Sequence, residues 1–102
     1  MLPSNEQVHI LLVQCGRLES DGLPDHATGA ALLCFASGRD ERHAVNETVN
    51  VLRQAGMAPL DVTAYGTRDA TEFELGPEEQ TLMDRALAEN AVIVAQVTVL
   101  EE

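Results

Sequence analysis

Three segments of this chain are apolar on both faces when they are read as β-strands, and this feature restricts the fold more than any other. They span residues 8–14, 29–36 and 91–100. Each is a short apolar run with a glycine or asparagine within two residues of one end, which is typical of strands. A strand that is apolar on both faces needs packing partners on both sides of its sheet.

Two further segments have the periodicity of amphipathic helices. The first follows two candidate capping residues, Ser37 and Asp40, and Gly56 predicts its end. Its apolar face consists of Ala44, Val45, Thr48, Val49, Leu52 and Ala55. The second helix begins at Pro77 and is followed by Asn90 as a cap. Its apolar face consists of Leu82, Met83, Ala86 and Leu87.

The remaining segments predict two more strands and one long loop. Residues 60–65 alternate, with Leu60, Val62 and Ala64 on one side and Asp61, Thr63 and Tyr65 on the other. Residues 71–75 also alternate and predict a short edge strand. Residues 16–29 contain three glycines, one proline and three acidic residues, which predicts a loop.

The order of these elements predicts an α+β fold in a single domain, residues 1–102. Residues 29–100 read β-α-β-β-α-β, the order of a ferredoxin-like unit, and the strand at 8–14 is an additional N-terminal strand. Such a unit forms a two-layer sandwich, in which both helices cover one face of the sheet.

The apolar residues on the other face predict self-association. Water contact of several such side chains would cost several kcal/mol, at roughly 25 cal/mol per Å². A second copy of the chain would cover them, so we expect a homo-oligomer, a homodimer in the simplest case. The alternative is that the N-terminal strand or the loop at 16–29 folds over this face.

The charge balance excludes several classes of function. The chain has 17 Asp and Glu residues, six arginines and no lysine, for a formal net charge of −11. Without lysine it has neither a Walker-type phosphate-binding motif nor a Schiff-base nucleophile. Scattered arginines on an acidic chain argue against nucleic-acid binding. The seven carboxylates within residues 69–89 suggest a basic protein as an alternative partner.

Several observations favour a cytoplasmic protein without a metal or cofactor. No leader pattern and no long apolar run is present, so we expect neither export nor membrane insertion. Cys15 and Cys34 are not spaced as a CxxC pair, and we expect both to be reduced. His43 and Glu47 are four residues apart, but no dense cluster of metal ligands accompanies them.

Tyr65, Arg68 and His9 are the candidate ligand-binding residues. Tyr65 ends a strand and leads into a polar turn that contains Arg68, whose guanidinium could bind a small anionic ligand. His9 alternates with apolar residues in the first strand. Cys15, beside Gly16 and Arg17, is the most exposed thiol that the pattern suggests, but no set of residues predicts a catalytic centre.

The sequence therefore favours a non-enzymatic association or ligand-binding module that acts as a homo-oligomer. One alternative is a small enzyme with a site near Tyr65 and Arg68 at a subunit boundary. The other is an acidic partner or inhibitor of a basic protein.

Overall fold

The computed structural model describes residues 7–19, 21–68 and 75–101. They form four strands and two helices in the order β1 (Gln7–Cys15), β2 (Gly29–Gly38), α1 (Glu41–Gln54), β3 (Pro59–Thr67), α2 (Pro77–Glu89) and β4 (Val92–Leu100). The predicted short strand at 71–75 lies outside the described residues except for Leu75, which is not in a strand.

The four strands form one antiparallel sheet in the order β3-β1-β2-β4. β1 and β2 are joined as a long hairpin whose register runs without interruption from Gln7 opposite Gly38 to Cys15 opposite Ala30. The N-terminal strand is therefore a central strand of the sheet, paired on both sides.

The two helices pack on opposite faces of this sheet. Leu11 and Val13 of β1 belong to a buried cluster with Leu52 of α1. Ile10, from the alternate side of β1, is buried in a second cluster with Met83 of α2. Because successive side chains of a strand point to opposite faces, these clusters lie on different sides of the sheet.

This arrangement confirms the α+β class, with an antiparallel sheet and two helices. Both helices pack against the sheet as in a sandwich, but each face carries one helix, whereas we expected both helices on one face. The ferredoxin-like unit is not confirmed. Its third strand would be residues 71–75, and in the observed sheet β1 lies between β2 and β3.

The helix ends follow their local chemistry. Of the two candidate caps, Asp40 is the one used, and its carboxylate accepts a 2.8 Å hydrogen bond from the His43 backbone N–H. α1 ends before Gly56, whose φ of +83° suits glycine. Pro77 occupies the first turn of α2, and Asn90 ends it in the left-handed conformation.

Arg17 and Asp21 organise the loop between β1 and β2. The Arg17 guanidinium donates hydrogen bonds to the carbonyl oxygens of Pro24 and Ala27, at 2.8 and 2.6 Å, and pairs with Asp21 at 3.0 Å. The Asp21 carboxylate in turn accepts the backbone N–H groups of Leu18 and Leu23. The loop is held compactly in this way, and Leu23 packs against the cluster beneath α1.

Gly29 begins β2 at a point where no side chain fits. A Cβ atom there would lie against the carbonyl oxygen of Cys15, far inside van der Waals contact. The absence of a side chain therefore allows the chain to enter the hairpin register directly beside the end of β1.

Candidate functional site

A groove with a volume of about 580 Å³ lies between α1 and β3. We call it the α1–β3 groove. Its lining residues are Val13, Glu41, Val45, Val49, Arg53, Pro59, Leu60, Asp61, Val62, Thr63, Ala64 and Tyr65. A volume in this range and a mostly aliphatic wall are typical of small-molecule sites.

One side of the groove is a single stripe of α1. Glu41, Val45, Val49 and Arg53 follow one another at four-residue spacing, so they lie one above the other on the helix. The stripe is roughly 18 Å long at 1.5 Å per residue. It presents a carboxylate at one end, two valines in the middle and a guanidinium at the other end.

A hydrogen-bonded pair, Tyr65 and His9, lies at the end of β3 that borders the groove. The Tyr65 hydroxyl is 2.6 Å from Nδ1 of His9, and Nε2 of His9 is 3.0 Å from the carbonyl oxygen of Gly38. A carbonyl oxygen can only accept, so Nε2 carries the proton of the neutral imidazole. Nδ1 is then an acceptor, and Tyr65 donates its hydroxyl proton to it. This leaves the lone pairs of the phenol oxygen for other donors.

The position of Tyr65 corrects the alternation expected for residues 60–65. Register shifts in the β1–β3 pairing place Val62 opposite Val13 and Tyr65 opposite Leu11, so Val62 and Tyr65 share the face covered by α1. The expected separation of these two side chains onto different faces is therefore wrong. The extra residue of a β-bulge reverses the alternation, and it turns Tyr65 toward His9.

The surroundings of Tyr65 keep its phenol protonated. Burial raises the pKa of Tyr65, and the negative charges of Glu41 and Asp40 raise it further. Tyr65 is 37 % exposed, whereas His9 is completely buried. Tyr65 is thus the member of the pair that a ligand in the groove could reach.

Arg68 does not join this pair. It forms a 2.6 Å ion pair with Asp84 and a 3.1 Å hydrogen bond with the side chain of Gln80, both on α2. α2 and α1 cover different faces, so the structure brings His9 and Tyr65 together and places Arg68 on the other side of the sheet. Asp69, the neighbour of Arg68 in the sequence, lies outside the described residues.

The expectation that Cys15 is an exposed thiol is wrong. Cys15 is 1 % exposed, and burial raises its pKa. Burial raises the pKa of Cys34 to about 12, and the nearby Cys15 contributes to this shift. Arg17, which we considered as an activating neighbour, is engaged with the loop instead.

Two negative observations apply to residues 7–19, 21–68 and 75–101. No three His, Cys, Asp or Glu side chains among them are grouped as metal ligands would be. Neither described helix has the length and apolarity that a membrane span requires.

Comparison with known families gives one result. Residues 8–101 match the model of a family described as a domain of unknown function, DUF8846. The chain belongs to this family. No curated protein and no solved structure matches the chain.

The family match covers both walls of the α1–β3 groove but assigns no role to it. Two groove residues, Glu41 and Arg53, were not among the candidates from the sequence. The four-residue spacing that connects them runs through Val45 and Val49, which the sequence assigned to the apolar face of the helix, and neither charged residue was assigned to a face. Their place in a site depends on β3 lying beside α1, and the sequence gives no sign of that pairing.

Proposed function

We propose that this protein is a non-enzymatic association module that forms a symmetric homodimer by pairing the β4 strands of two copies. The observation that carries the proposal is the uncharged edge strand β4. From Val92 to Leu100 this edge contains no charged residue, no proline and no glycine. Such an edge is a template for pairing with another strand, and natural proteins usually protect it.

The side chains of β4 add an apolar stripe to this edge. Val94 and Val97 lie opposite Cys34 and Leu32, on the face that α1 covers only in part. They are 38 % and 51 % exposed, respectively. Each face of the sheet carries a helix, but Val94 and Val97 remain exposed at this edge, and a second copy would bury part of them.

The opposite edge of the sheet is a poorer partner. β3 begins with Pro59, which lacks a backbone N–H, and it exposes Asp61. Its pairing with β1 is interrupted by two register shifts. Proline, charge and bulges are the devices that discourage foreign pairing, so β3 is protected in the way that β4 is not.

Charge favours an antiparallel arrangement of the two β4 strands. Glu101 follows β4 directly, and each chain carries a net charge of −11. Parallel pairing would place the two Glu101 side chains together, whereas antiparallel pairing separates them to opposite ends of the joint. Antiparallel pairing also has the two-fold symmetry of most homodimers.

The test is the oligomeric state of edge variants, measured by sedimentation equilibrium. We expect the wild-type chain to be dimeric at tens of micromolar and Val97→Lys to raise the dimer dissociation constant by about tenfold or more. Leu60→Lys is the matched control, because it adds the same charge to an exposed apolar position of the β3 edge. It should leave the dissociation constant within about twofold.

A second β4 variant shows whether a loss of dimerisation results from misfolding or from the added charge at the edge. Thr98→Lys places the same charge on the other face of β4, and circular dichroism reports whether each variant is folded. A monomeric wild-type chain would refute the proposal. So would a dimer that Leu60→Lys disrupts and the two β4 variants do not.

Two of the sequence-based alternatives have less support. An enzyme site that combines Tyr65 with Arg68 would need residues from opposite faces of the sheet. An acidic partner of a basic protein would use α2, where Arg68 and Arg85 already pair with Asp84 and Glu89. We also propose a cytoplasmic location, since the free thiols of Cys15 and Cys34 suit a reducing compartment.

A further inference from the structure

We propose that the α1–β3 groove binds a small apolar ammonium compound, whose charged group lies between Glu41 and the phenol oxygen of Tyr65. This site is on the side of the sheet away from the β4 edge, at β3, so the inference does not depend on dimer formation. The proposed ligand is a cation, whereas the sequence alone suggested a small anion held by Arg68.

The Tyr65 end of the groove offers two side-chain acceptors, the phenol oxygen of Tyr65 and the carboxylate of Glu41. The hydroxyl proton of Tyr65 is directed to Nδ1 of His9, so its oxygen presents lone pairs to the groove. The backbone N–H of His43 already binds the Asp40 carboxylate that caps α1. Glu41 is exposed at the same end and has no ion pair among the described residues. An ammonium group has three donors and a positive charge, so it matches both acceptors.

The middle of the groove suits an apolar chain. Val45 and Val49 face Val62 of β3, with Val13 of β1 below them. All four are aliphatic, and none offers a hydrogen bond through its side chain. A hydrocarbon body that spans Val45 and Val49, roughly 6 Å along the helix axis, would displace water from the valines.

The far end of the groove fixes the direction of the ligand. Arg53 lies there, in the last turn of α1, and forms no ion pair with any described residue. Its charge repels an ammonium group and would attract an anion. The same arrangement therefore predicts that a carboxylate of equal size binds in the reverse direction or not at all, because Glu41 and the overall charge oppose it.

The probes are hexylammonium, hexanol and hexanoate, which share one apolar body and differ in charge. Binding is followed by amide chemical shifts in two-dimensional NMR of the full chain. We expect hexylammonium to shift the amides of residues 41–49 and 62–65 and to bind more tightly than hexanol. Hexanoate should bind most weakly.

Two variants test the proposed contacts. Glu41→Gln should weaken hexylammonium binding by about two- to fivefold, the effect of one exposed ion pair, and leave hexanol binding unchanged. Glu47→Gln is the matched control, because Glu47 is an exposed glutamate of the same helix that does not line the groove. It should leave both affinities unchanged.

Tyr65→Phe removes the phenol oxygen and should weaken hexylammonium binding by about two- to tenfold. Because this variant also deprives His9 of a partner, Glu41→Gln alone decides the result if Tyr65→Phe is not folded. The proposal is overturned if hexanoate binds as tightly as hexylammonium. It is also overturned if Glu47→Gln weakens binding as much as Glu41→Gln, since net charge alone would then explain the effect.

Discussion

Asp21 has a pKa that its neighbours in the loop between β1 and β2 shift strongly. The backbone N–H groups of Leu18 and Leu23 and the side chain of Arg17 all donate to its carboxylate, and they lower its pKa from 3.8 to about 2. These hydrogen bonds favour the ionised form, so the folded state holds its proton less tightly than the unfolded state does.

The pH dependence of stability follows from this difference. The contribution of Asp21 is fully present above its unfolded pKa of about 4 and is lost as the pH falls toward about 2. Within that window, unfolding should take up about one proton at this residue. We expect urea denaturation of the wild-type chain to show this loss between pH 5 and pH 2.

Asp21→Asn should be less stable than the wild-type chain at pH 7 and should lose less stability between pH 5 and pH 2. Asp25→Asn is the control, because it removes the same charge from an exposed position of the same loop. If the two variants show the same pH profile, the network around Asp21 does not stabilise the fold.

The sequence could not reveal this network, because it depends on where the loop turns. Arg17 and Asp21 are four residues apart, which in a helix would predict an ion pair on its surface. Here the loop also brings the carbonyl oxygens of Pro24 and Ala27 to the same guanidinium. The sequence also could not predict the pair of His9 and Tyr65. The extra residue of the β-bulge in β3 determines the face on which Tyr65 lies, and the alternation of residues 60–65 gives no sign of it.

At the scale of the element, the described strands and both helices follow from the sequence. Turn and cap residues such as Asp40, Gly56 and Asn90 predicted the ends of these elements to within one to three residues of their positions in the structure. The position of each helix relative to the sheet did not follow. β1 and β2 are apolar on both faces, so their patterns accept a helix on either side, and only packing selects the face.

The packing of α1 and α2 on separate faces predicts that they stabilise the fold independently. Leu52 of α1 and Met83 of α2 are both fully buried, but they belong to different clusters. Leu52→Val and Met83→Val should each destabilise the protein by about 1–2 kcal/mol. In the double variant the two losses should add to within about 0.5 kcal/mol.

The coupling is measured by urea denaturation of the wild-type chain, both single variants and the double variant. Ile10→Val with Met83→Val is the control pair, because these two residues share one cluster and should show a larger coupling. A coupling above about 1 kcal/mol between Leu52 and Met83 would indicate shared packing, and the assignment of the helices to separate faces would then be wrong.

At the scale of the whole molecule, the net charge of −11 opposes contact between two copies. The repulsion acts over roughly 20 Å at 20 mM salt and over less than about 10 Å at 200 mM. The proposed β4 joint has no charged residue between Val92 and Leu100, so it contains no ion pair that salt could weaken. The main effect of salt is then to screen the repulsion between the two acidic copies. We therefore expect the dimer dissociation constant to fall by about threefold to tenfold between 20 and 200 mM NaCl.

A variant with less charge gives the control for this prediction. Glu78→Gln combined with Glu79→Gln removes two exposed or half-exposed carboxylates of α2 and should make the salt dependence shallower. A dissociation constant that rises with salt would mean that ion pairs join the copies, which would place the interface away from β4. The dissociation constant for a basic partner should instead rise with salt, because screening weakens an attraction between unlike charges. Titration with a polylysine peptide in the same buffers measures this salt dependence. It therefore separates self-association through β4 from the acidic-partner alternative.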